Sequence, residues 1–236
     1  MINSNPTITN ITVGALATNC WLYSLVQDAG PSAQESWEPY QGKLCALFDP
    51  GADARVIAAR LERLSLYPRY ILLTHGHFDH VAGLPELVSY YRETYGLRPE
   101  IGIHQGDAAS LGPEAHQVHR DSFMAAVGNA AYVDDLWEPL PPPNRLLSEG
   151  DIIGPFKVIH LPGHSPGSAG FYNETAQALF SGDTLFNGGI GRTDLPGGDW
   201  NTLAASLKRL FTMDKNIKVY PGHGPATTLG DEQSLY

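Results

Sequence analysis

The chain has 236 residues, of which 42% are hydrophobic, and its formal net charge at pH 7 is −10. This length and apolar content are sufficient for one large domain with a sizeable core. The acidic balance argues against nucleic-acid binding, which requires a basic surface, and no apolar run approaches the length of a membrane span.

The N-terminus and the cysteines favour a cytoplasmic location. Residues 1–6 (MINSNP) lack the basic and apolar regions of a signal peptide. The two cysteines, Cys20 and Cys45, lie in strand-like runs. We therefore expect buried thiols rather than a disulfide framework.

The apolar pattern predicts strands and helices that alternate along the chain. Strand-like runs cover residues 7–13, 20–25, 43–48, 70–74, 156–161, 178–181 and 217–220. Helices with one apolar face are predicted at 53–64, 84–95 and 201–213. Asp53 is the predicted cap of the first helix, and Gly96 ends the second. This order predicts a two-layer α/β architecture within a single domain over residues 1–236.

Two segments interrupt the pattern and are interpreted as insertions. Residues 26–42 are polar with two prolines and are predicted to form a hairpin loop on the surface. Residues 111–147 include the apolar stretch 122–133 and a proline-rich run, which predict a short helix and an arm near the mouth of a site. The sequence leaves open whether this second segment is a lid or surface padding.

Residues 74–80, with the sequence THGHFDH, concentrate metal-binding side chains just after an apolar strand-like run. His75, His77, Asp79 and His80 fall within six positions. Imidazole suits zinc, iron, nickel and copper, and a carboxylate added to imidazoles is typical of a catalytic rather than a structural zinc site. The motif therefore predicts a metal centre.

Three later junctions between a strand and a loop offer further ligands. They are His164 in LPGHSPGS, Asp183 in FSGDTL and His223 in YPGHGP. Glycine or proline beside each one lets the backbone turn sharply and approach a ligand closely. Rigid strands that end at one edge of a sheet would hold these loops in place.

With these motifs in this order, preceded by Asp49-Pro50-Gly51, the chain resembles the metallo-β-lactamase superfamily over nearly its whole length. Residues 189–199 (GIGRTDLPGGD) and 222–230 (GHGPATTLG) are most similar to the short branch of its glyoxalase II group. The resemblance implies an αββα four-layer sandwich of two mixed sheets with helices outside. It also implies a small-molecule thioester substrate, such as an S-(2-hydroxyacyl)glutathione, with S-lactoylglutathione as the usual case.

The resemblance further implies two divalent metal ions, with zinc as the first choice and iron or manganese as the alternatives. The implied ligands are His75, His77 and His164 for one ion, Asp79, His80 and His223 for the other, and Asp183 as a bridge. Asp79 and Asp183 are also the predicted catalytic carboxylates. Full-length members carry a C-terminal helical domain that binds glutathione. Because this chain stops at Tyr236, we expect that domain to be absent, and no residue inherits its glutathione contacts.

The implied chemistry is hydrolysis by an activated water. Two ions about 3.5–4 Å apart lower the pKa of bound water toward about 7, so that hydroxide exists at neutral pH. The hydroxide would attack the thioester carbonyl while a metal stabilises the oxyanion. Because the leaving thiolate is a weak base, the reaction needs no serine or cysteine nucleophile.

Two alternatives remain open. A persulfide dioxygenase would use one iron held by His75 or His77 with His164 and Asp183, and it shares the segment GRTD at 191–194. The complete second set of ligands favours hydrolysis over this alternative. A non-catalytic metal-binding protein would be favoured by a missing ligand, and none is missing.

Several polar residues outside the motif also receive predictions. Asp49 is interpreted with equal weight as an acceptor for a ligand histidine or as a turn residue. An Arg192–Asp194 ion pair that braces the loop at 188–189 is favoured over contact with substrate. The side chains predicted to be structural or at the surface are His104, His116, His119, His160 and the turn residue Asp151.

Overall fold

The computed structural model describes residues 6–25 and 35–235. Within these ranges, two six-stranded mixed sheets pack face to face with helices on their outer sides. This arrangement confirms the four-layer α/β sandwich that the resemblance implies. The two layers predicted from the order of elements are wrong, because the second half of the chain forms a sheet of its own that packs on the first. In the described residues, no helix is both long enough and apolar enough to cross a membrane.

The first sheet is built from the N-terminal half of the chain, and its strands follow the chain order. The strands are β1 (Ile8–Val13), β2 (Thr18–Ser24), β3 (Leu44–Phe48), β4 (Tyr67–Leu73), β5 (Glu100–His104) and β6 (Arg145–Leu147). The first three strands pair antiparallel, whereas β3 to β6 are parallel. The parallel strands therefore end at the same edge of the sheet.

The second sheet is built from the C-terminal half, in the order β14-β13-β10-β9-β8-β7. The strands are β7 (Ile152–Ile153), β8 (Phe156–His160), β9 (Ala169–Asn173), β10 (Ala178–Gly182), β13 (Lys218–Pro221) and β14 (Thr227–Thr228). Only β10 and β13 pair in parallel. A separate two-stranded ribbon is formed by β11 (Leu185–Phe186) and β12 (Gly189–Ile190).

The helices lie between and after these strands. They are α1 (Ala54–Leu64), α2 (Phe78–Val81), α3 (Leu84–Tyr95), α4 (Ala115–Val127), α5 (Ala131–Leu136), α6 (Trp200–Leu210) and α7 (Leu229–Gln233). Two 3₁₀ helices cover Glu35–Tyr40 and Gln105–Ser110. All three helices expected from the sequence are present.

Aromatic side chains fill the space between the two sheets. Phe48 of the first sheet stacks on Phe180 of the second, with ring centroids 3.8 Å apart, and meets Phe156 edge-on at 5.2 Å. Each fully buried aromatic ring stabilises the fold by about 1.5–3 kcal/mol. On the outer side of the second sheet, Leu203 and Leu207 of α6 pack in a separate apolar cluster. Both cysteines are buried free thiols, as expected.

Asp53 is not the side-chain cap that the sequence predicts for α1. Its backbone is left-handed, with φ of 51°, and its side chain makes no capping hydrogen bond. Capping requires an extended backbone, which aims the side chain at the first helical N–H groups. The Asp53 carboxylate instead accepts a hydrogen bond from the backbone N–H of Gly14 at 2.8 Å, which ties the start of α1 to the β1–β2 turn.

Helix α6 ends at Leu210, three residues earlier than predicted. Phe211 and Met213 continue the apolar pattern and still pack against the cluster under α6. The apolar character of these two residues is therefore explained by their packing, and it does not require a further helical turn.

The two predicted insertions have defined structure within the described residues. Residues 26–34 lie outside the described residues. The 3₁₀ helix Glu35–Tyr40 replaces part of the expected surface loop, and its Trp37 is 0% exposed, so this part of the prediction is wrong. The segment 111–147 contains two helices, α4 and α5, where one short helix was predicted. The single-domain boundaries remain a prediction.

Candidate metal centre

The predicted ligands converge where strands of both sheets end. His75 follows β4, His164 follows β8, Asp183 follows β10 and His223 follows β13. The backbone N–H of Ala169 in the second sheet donates to the Thr74 carbonyl oxygen at 2.7 Å, which joins the two sheets directly beside the site. The chain therefore brings ligands 148 positions apart, His75 and His223, into one cluster.

One group of ligands consists of His75, His77 and His164, whose ring nitrogens lie within 4.8 Å of one another. The Nε2 atoms of His75 and His164 are 3.3 Å apart. His77 directly precedes the short helix α2, so the chain turns away immediately after presenting this ring.

The second group consists of Asp79, His80 and His223. Asp79 Oδ2 lies 3.5 Å from His80 Nε2 and 3.4 Å from His223 Nε2. Asp79 and His80 are adjacent in α2, yet both reach this group. The hydroxyl of Thr18 donates to the same Asp79 oxygen at 2.9 Å and fixes the carboxylate in this position.

Asp183 lies between the two groups. Its Oδ2 atom is 3.7 Å from His164 Nε2 in the first group and 3.4 Å from His223 Nε2 in the second. Its Oδ1 atom is 3.5 Å from His80 Nε2. One carboxylate thus faces ligands of both groups, which is the placement that a bridging ligand requires.

Two buried polar atoms of this cluster have no hydrogen-bond partner among the described residues: His80 Nε2 and Asp183 Oδ1. A buried polar atom without a partner costs about 1–3 kcal/mol. A cation between the imidazole nitrogen and the carboxylate oxygen would satisfy both atoms at once. The donor set of imidazoles and carboxylates also matches the chemistry of zinc and iron.

The ring orientations of three histidines fit metal binding as well. Nδ1 of His80 donates to Asp49 Oδ2 at 3.0 Å, and Nδ1 of His164 donates to the Arg192 carbonyl oxygen at 2.8 Å. Nδ1 of His75 lies 3.1 Å from the Thr74 hydroxyl oxygen. A proton held on Nδ1 leaves Nε2 with a free lone pair that faces the neighbouring ligands.

Asp49 is the acceptor that holds this arrangement, which decides between its two interpretations. Besides His80, its carboxylate accepts from the Thr74 backbone N–H at 2.8 Å and from the Thr74 hydroxyl at 2.6 Å. Asp49, His75 and His80 also lie close enough to form a third metal-binding group. Because both Asp49 oxygens already accept hydrogen bonds, we assign Asp49 to orienting His80.

Asp107 is a site residue that the sequence analysis missed. Its carboxylate accepts from the Gly76 N–H at 2.8 Å, from the Gly167 N–H at 2.6 Å and from the Ser165 hydroxyl at 2.7 Å. It therefore joins the His75–His80 loop to the His164 loop. The available signal was its position in the 3₁₀ helix that directly follows β5, at the edge of the sheet where β4 also ends.

The loop that carries His223 is held by β2, which was also not foreseen. The side-chain amide of Asn19 donates to the carbonyl oxygens of Pro221 at 3.1 Å and Gly224 at 2.7 Å. The indole N–H of Trp21 donates to the same Pro221 oxygen at 2.7 Å. These bonds fix the backbone on both sides of His223.

Gly222 shows how tightly this loop approaches the ligands. A Cβ atom at Gly222 would lie 2.0 Å from Asp183 Oδ1 and 2.8 Å from His80 Cε1. Real Cβ atoms do not approach so closely, so only glycine fits here. Glycine is therefore required here because the backbone passes close to Asp183 and His80.

The carboxylates give the cluster a strong attraction for positive charge. Burial lowers the pKa of His77 to about 3, and the neighbouring His164 adds to this effect. Burial alone would lower the pKa of His223 too, but Asp183 and Asp79 outweigh it and raise this pKa to about 10. Burial would raise the pKa of Asp79, whereas the adjacent His80 lowers it to about 2. The carboxylates therefore stay ionised and attract cations.

The remaining predicted residues lie outside this cluster. Arg192 and Asp194 form an exposed ion pair with two hydrogen bonds of 2.7 Å each. His160 stacks on His104 at 3.9 Å, and His119 lies within hydrogen-bonding distance of the Ser110 carbonyl oxygen at 3.0 Å. The two remaining polar contacts are those of His116 with Asp134 and of Asp151 with the Ser148 N–H.

Comparisons with known proteins cover the part of the chain that carries this cluster. A family model described as the metallo-beta-lactamase superfamily matches residues 38–223. The chain is 36% identical over 197 residues to the hydroxyacylglutathione hydrolase GloC of Haemophilus influenzae. The matched region covers 81% of this chain and 85% of that protein. It is 34% identical over 209 residues to the probable metallo-hydrolase YqgX of Bacillus subtilis, over 86% of this chain and 91% of that protein.

A solved structure is similar over almost the full length. The crystal structure of TTHA1623 in a di-iron-bound form matches with a TM-score of 0.75 and 36% sequence identity, over 96% of this chain and 97% of that chain. The family match at residues 38–223 includes every candidate ligand, from His75 to His223.

Proposed function

The chain belongs to the metallo-beta-lactamase superfamily, and on that premise we propose that it is a metal-dependent hydrolase that cleaves a thioester such as an S-(2-hydroxyacyl)glutathione. The observation that carries this proposal is the placement of Asp183 between two groups of imidazoles, with its buried Oδ1 unpartnered among the described residues. Similarity to a hydroxyacylglutathione hydrolase supports the thioester as the substrate class.

The residues divide into two ligand sets. The first ion would be held by His75, His77 and His164, the second by Asp79, His80 and His223, and Asp183 would contact both. Zinc remains the first choice of metal, and the di-iron form of a similar protein supports iron as the alternative. Bound divalent ions would supply an activated water at neutral pH and polarise the substrate carbonyl.

The protein's own residues prepare the site for this chemistry. Asp49 and the Arg192 carbonyl hold the Nδ1 protons of His80 and His164, so their Nε2 lone pairs point inward. Thr18 keeps Asp79 in place by donating a hydrogen bond to it. Because a thiolate leaves as a weak base, no protein acid is needed to protonate the leaving group.

The test is a thioester panel assayed with two ligand variants and a control. We expect His77→Ala and Asp183→Ala to lower kcat/KM for S-lactoylglutathione about 100-fold or more. Each substitution removes a proposed metal ligand and so weakens the electrostatic stabilisation of the transition state. His116→Ala is the matched control, since this exposed histidine lies outside the ligand groups. Wild-type rates in either ligand variant would contradict the proposal.

Metal analysis and an oxygen-uptake assay separate this function from the alternative. We expect close to two metal ions per chain and no oxygen uptake with glutathione persulfide. A single iron per chain together with oxygen uptake would instead establish a persulfide dioxygenase.

A further inference from the structure

A cavity of about 330 Å³ opens beside the ligand cluster. His77, Asp79, His164, Asp183 and His223 line part of it. Apolar residues that we call the apolar wall also line it: Leu16, Phe123, Ala126, Val127 and Leu195. The cavity is at the small end of the range for ligand sites, so it fits part of a substrate and not an extended one.

The apolar wall combines exposed side chains with a fixed support. Leu16 is 48% exposed and Val127 is 61% exposed, so the hydrophobic core does not explain either side chain. Phe123 is held in position because it stacks on Tyr132 with ring centroids 5.2 Å apart. Exposed apolar side chains gathered at the rim of a pocket are typical of a ligand-binding surface.

Away from the ligand cluster, the described residues that line the cavity offer no free positive charge to an anionic occupant. Of the residues that line it in the described part of the chain, Arg192 alone carries a permanent positive charge. Its guanidinium is already engaged by Asp194 through two hydrogen bonds of 2.7 Å. A carboxylate of the substrate would therefore have no free cationic side chain to pair with here.

We propose that the apolar wall binds the acyl group of the substrate and selects uncharged aliphatic acyl groups, whatever thiol carries them. This inference rests on the proposed thioester hydrolysis. The reacting carbonyl carbon carries both the acyl chain and the thiol carrier, so one of the two must lie beside the ligand cluster, where the wall begins. An uncharged acyl chain suits these apolar side chains better than a charged carrier does. A charged carrier would extend away from the wall toward solvent.

The test uses thioesters of the uncharged carrier N-acetylcysteamine, so that carrier charge has no influence. We expect kcat/KM, corrected for intrinsic reactivity, to rise about 15-fold from the acetyl to the butanoyl ester, because each of the two added methylenes contributes roughly fourfold when buried. Val127→Asp should abolish most of this preference, since it places a charge on the wall.

Met124→Asp is the matched control. Met124 lies on the same helix, is 49% exposed and does not line the cavity. Met124→Asp introduces the same charge close to the same end of the helix. We expect this variant to keep the preference for the longer acyl group. Circular dichroism and metal content check that both variants fold and bind metal alike.

The outcomes separate the two proposals. If the wild-type enzyme hydrolyses thioesters without preference for acyl length, or if both aspartate variants behave alike, the wall has no role in selection while thioester hydrolysis stands. If no thioester is hydrolysed, the proposed function fails, and calorimetry with S-alkyl-N-acetylcysteamine thioethers decides the inference. Affinity that rises with alkyl length in wild type and Met124→Asp but not in Val127→Asp supports it, and equal affinities overturn it.

Discussion

At the scale of single residues, acceptors outside the ligand set decide which nitrogen of each ligand histidine faces the cluster. Asp49 is the clearest example, because one carboxylate holds both His80 and the Thr74 backbone that precedes the motif. Such acceptors influence metal affinity without touching the metal. Two residue-scale predictions follow from the contacts of Asp49 and of Gly222.

Replacing Asp49 by asparagine should weaken metal binding. Asparagine has one acceptor oxygen and no charge, so it cannot accept from the Thr74 N–H, the Thr74 hydroxyl and His80 together. We expect metal affinity, measured by competition with a chelator, to fall about 10- to 100-fold. Asp151→Asn makes the same chemical change at a turn outside the cluster and should leave the affinity unchanged. Equal affinities for the two variants would contradict the role of Asp49.

Gly222→Ala should remove activity by steric pressure on two ligands. The added Cβ would lie 2.0 Å from Asp183 Oδ1, so either the ligand or the His223 loop must move. We expect metal content and hydrolysis to fall together. Gly189→Ala is the control, because its added Cβ would meet its nearest neighbour at 3.8 Å, an ordinary contact. A Gly222→Ala variant with full metal content would refute the packing argument.

At the scale of elements, helix α4 connects the segment 111–147 to the metal-binding loop. His119 lies on its buried face, close to the Ser110 carbonyl oxygen, and its ring lies 5.2 Å from that of Phe78. Phe78 stands between His77 and Asp79 in the chain. The helix therefore rests on the same loop that carries four ligand candidates, and it forms part of the cavity wall.

The buried His119 predicts a pH dependence of stability. Burial lowers its pKa in the folded state to about 4, although the Ser110 carbonyl raises it slightly. The unfolded chain binds a proton near the ordinary value of about 6.5. Unfolding therefore takes up a proton between these values, and this contribution to stability falls as the pH drops from about 6.5 toward about 4.

His119→Gln keeps a hydrogen-bond donor and removes the titration. We expect the free energy of unfolding of the wild type, relative to this variant, to fall by at most about 1.4 kcal/mol per pH unit across that window. Urea unfolding curves at pH 7.5, 6.5 and 5.5 measure the difference. A constant difference between the two proteins over this range would show that His119 does not titrate as described.

At the scale of the whole molecule, the ligands tie together two sheets made from different halves of the chain. The loop after strand β4 of the first sheet carries four of them: His75, His77, Asp79 and His80. Loops after strands of the second sheet carry the other three: His164, Asp183 and His223. A ligand that binds only the folded state stabilises it, and the stabilisation grows with the logarithm of the ratio of free ligand concentration to Kd. Metal binding should therefore strengthen the packing of the sheets as well as supply chemistry.

Removal of metal with a chelator should lower the Tm. At a free metal concentration 100 times the Kd, one site contributes about 2.7 kcal/mol, and this contribution is lost on chelation. Adding zinc back should restore the Tm of the wild type but not fully that of Asp183→Ala. An unchanged Tm after complete removal of metal, verified by elemental analysis, would show that the cluster binds no ion that matters to the fold.

The sequence by itself determined the fold class and the chemical types in the site. Apolar periodicity predicted alternating strands and helices, and the THGHFDH run concentrated ligands within one loop. The four-layer sandwich was implied by the resemblance that these motifs carry. The limits of α1 and α3 followed from the same periodicity. The predicted cap at Asp53 was wrong, because its backbone is left-handed and its carboxylate accepts from the distant Gly14 N–H instead.

Only the tertiary structure decided which residues support the site and which line its cavity. Asp107, Asn19 and Trp21 reach the ligand loops through contacts between distant segments, and no local pattern marks such pairs. Val127 faces the cavity because α4 packs beside the metal-binding loop. The sequence gives the chemistry of each side chain directly, whereas the position of one strand end relative to another depends on how the two sheets pack.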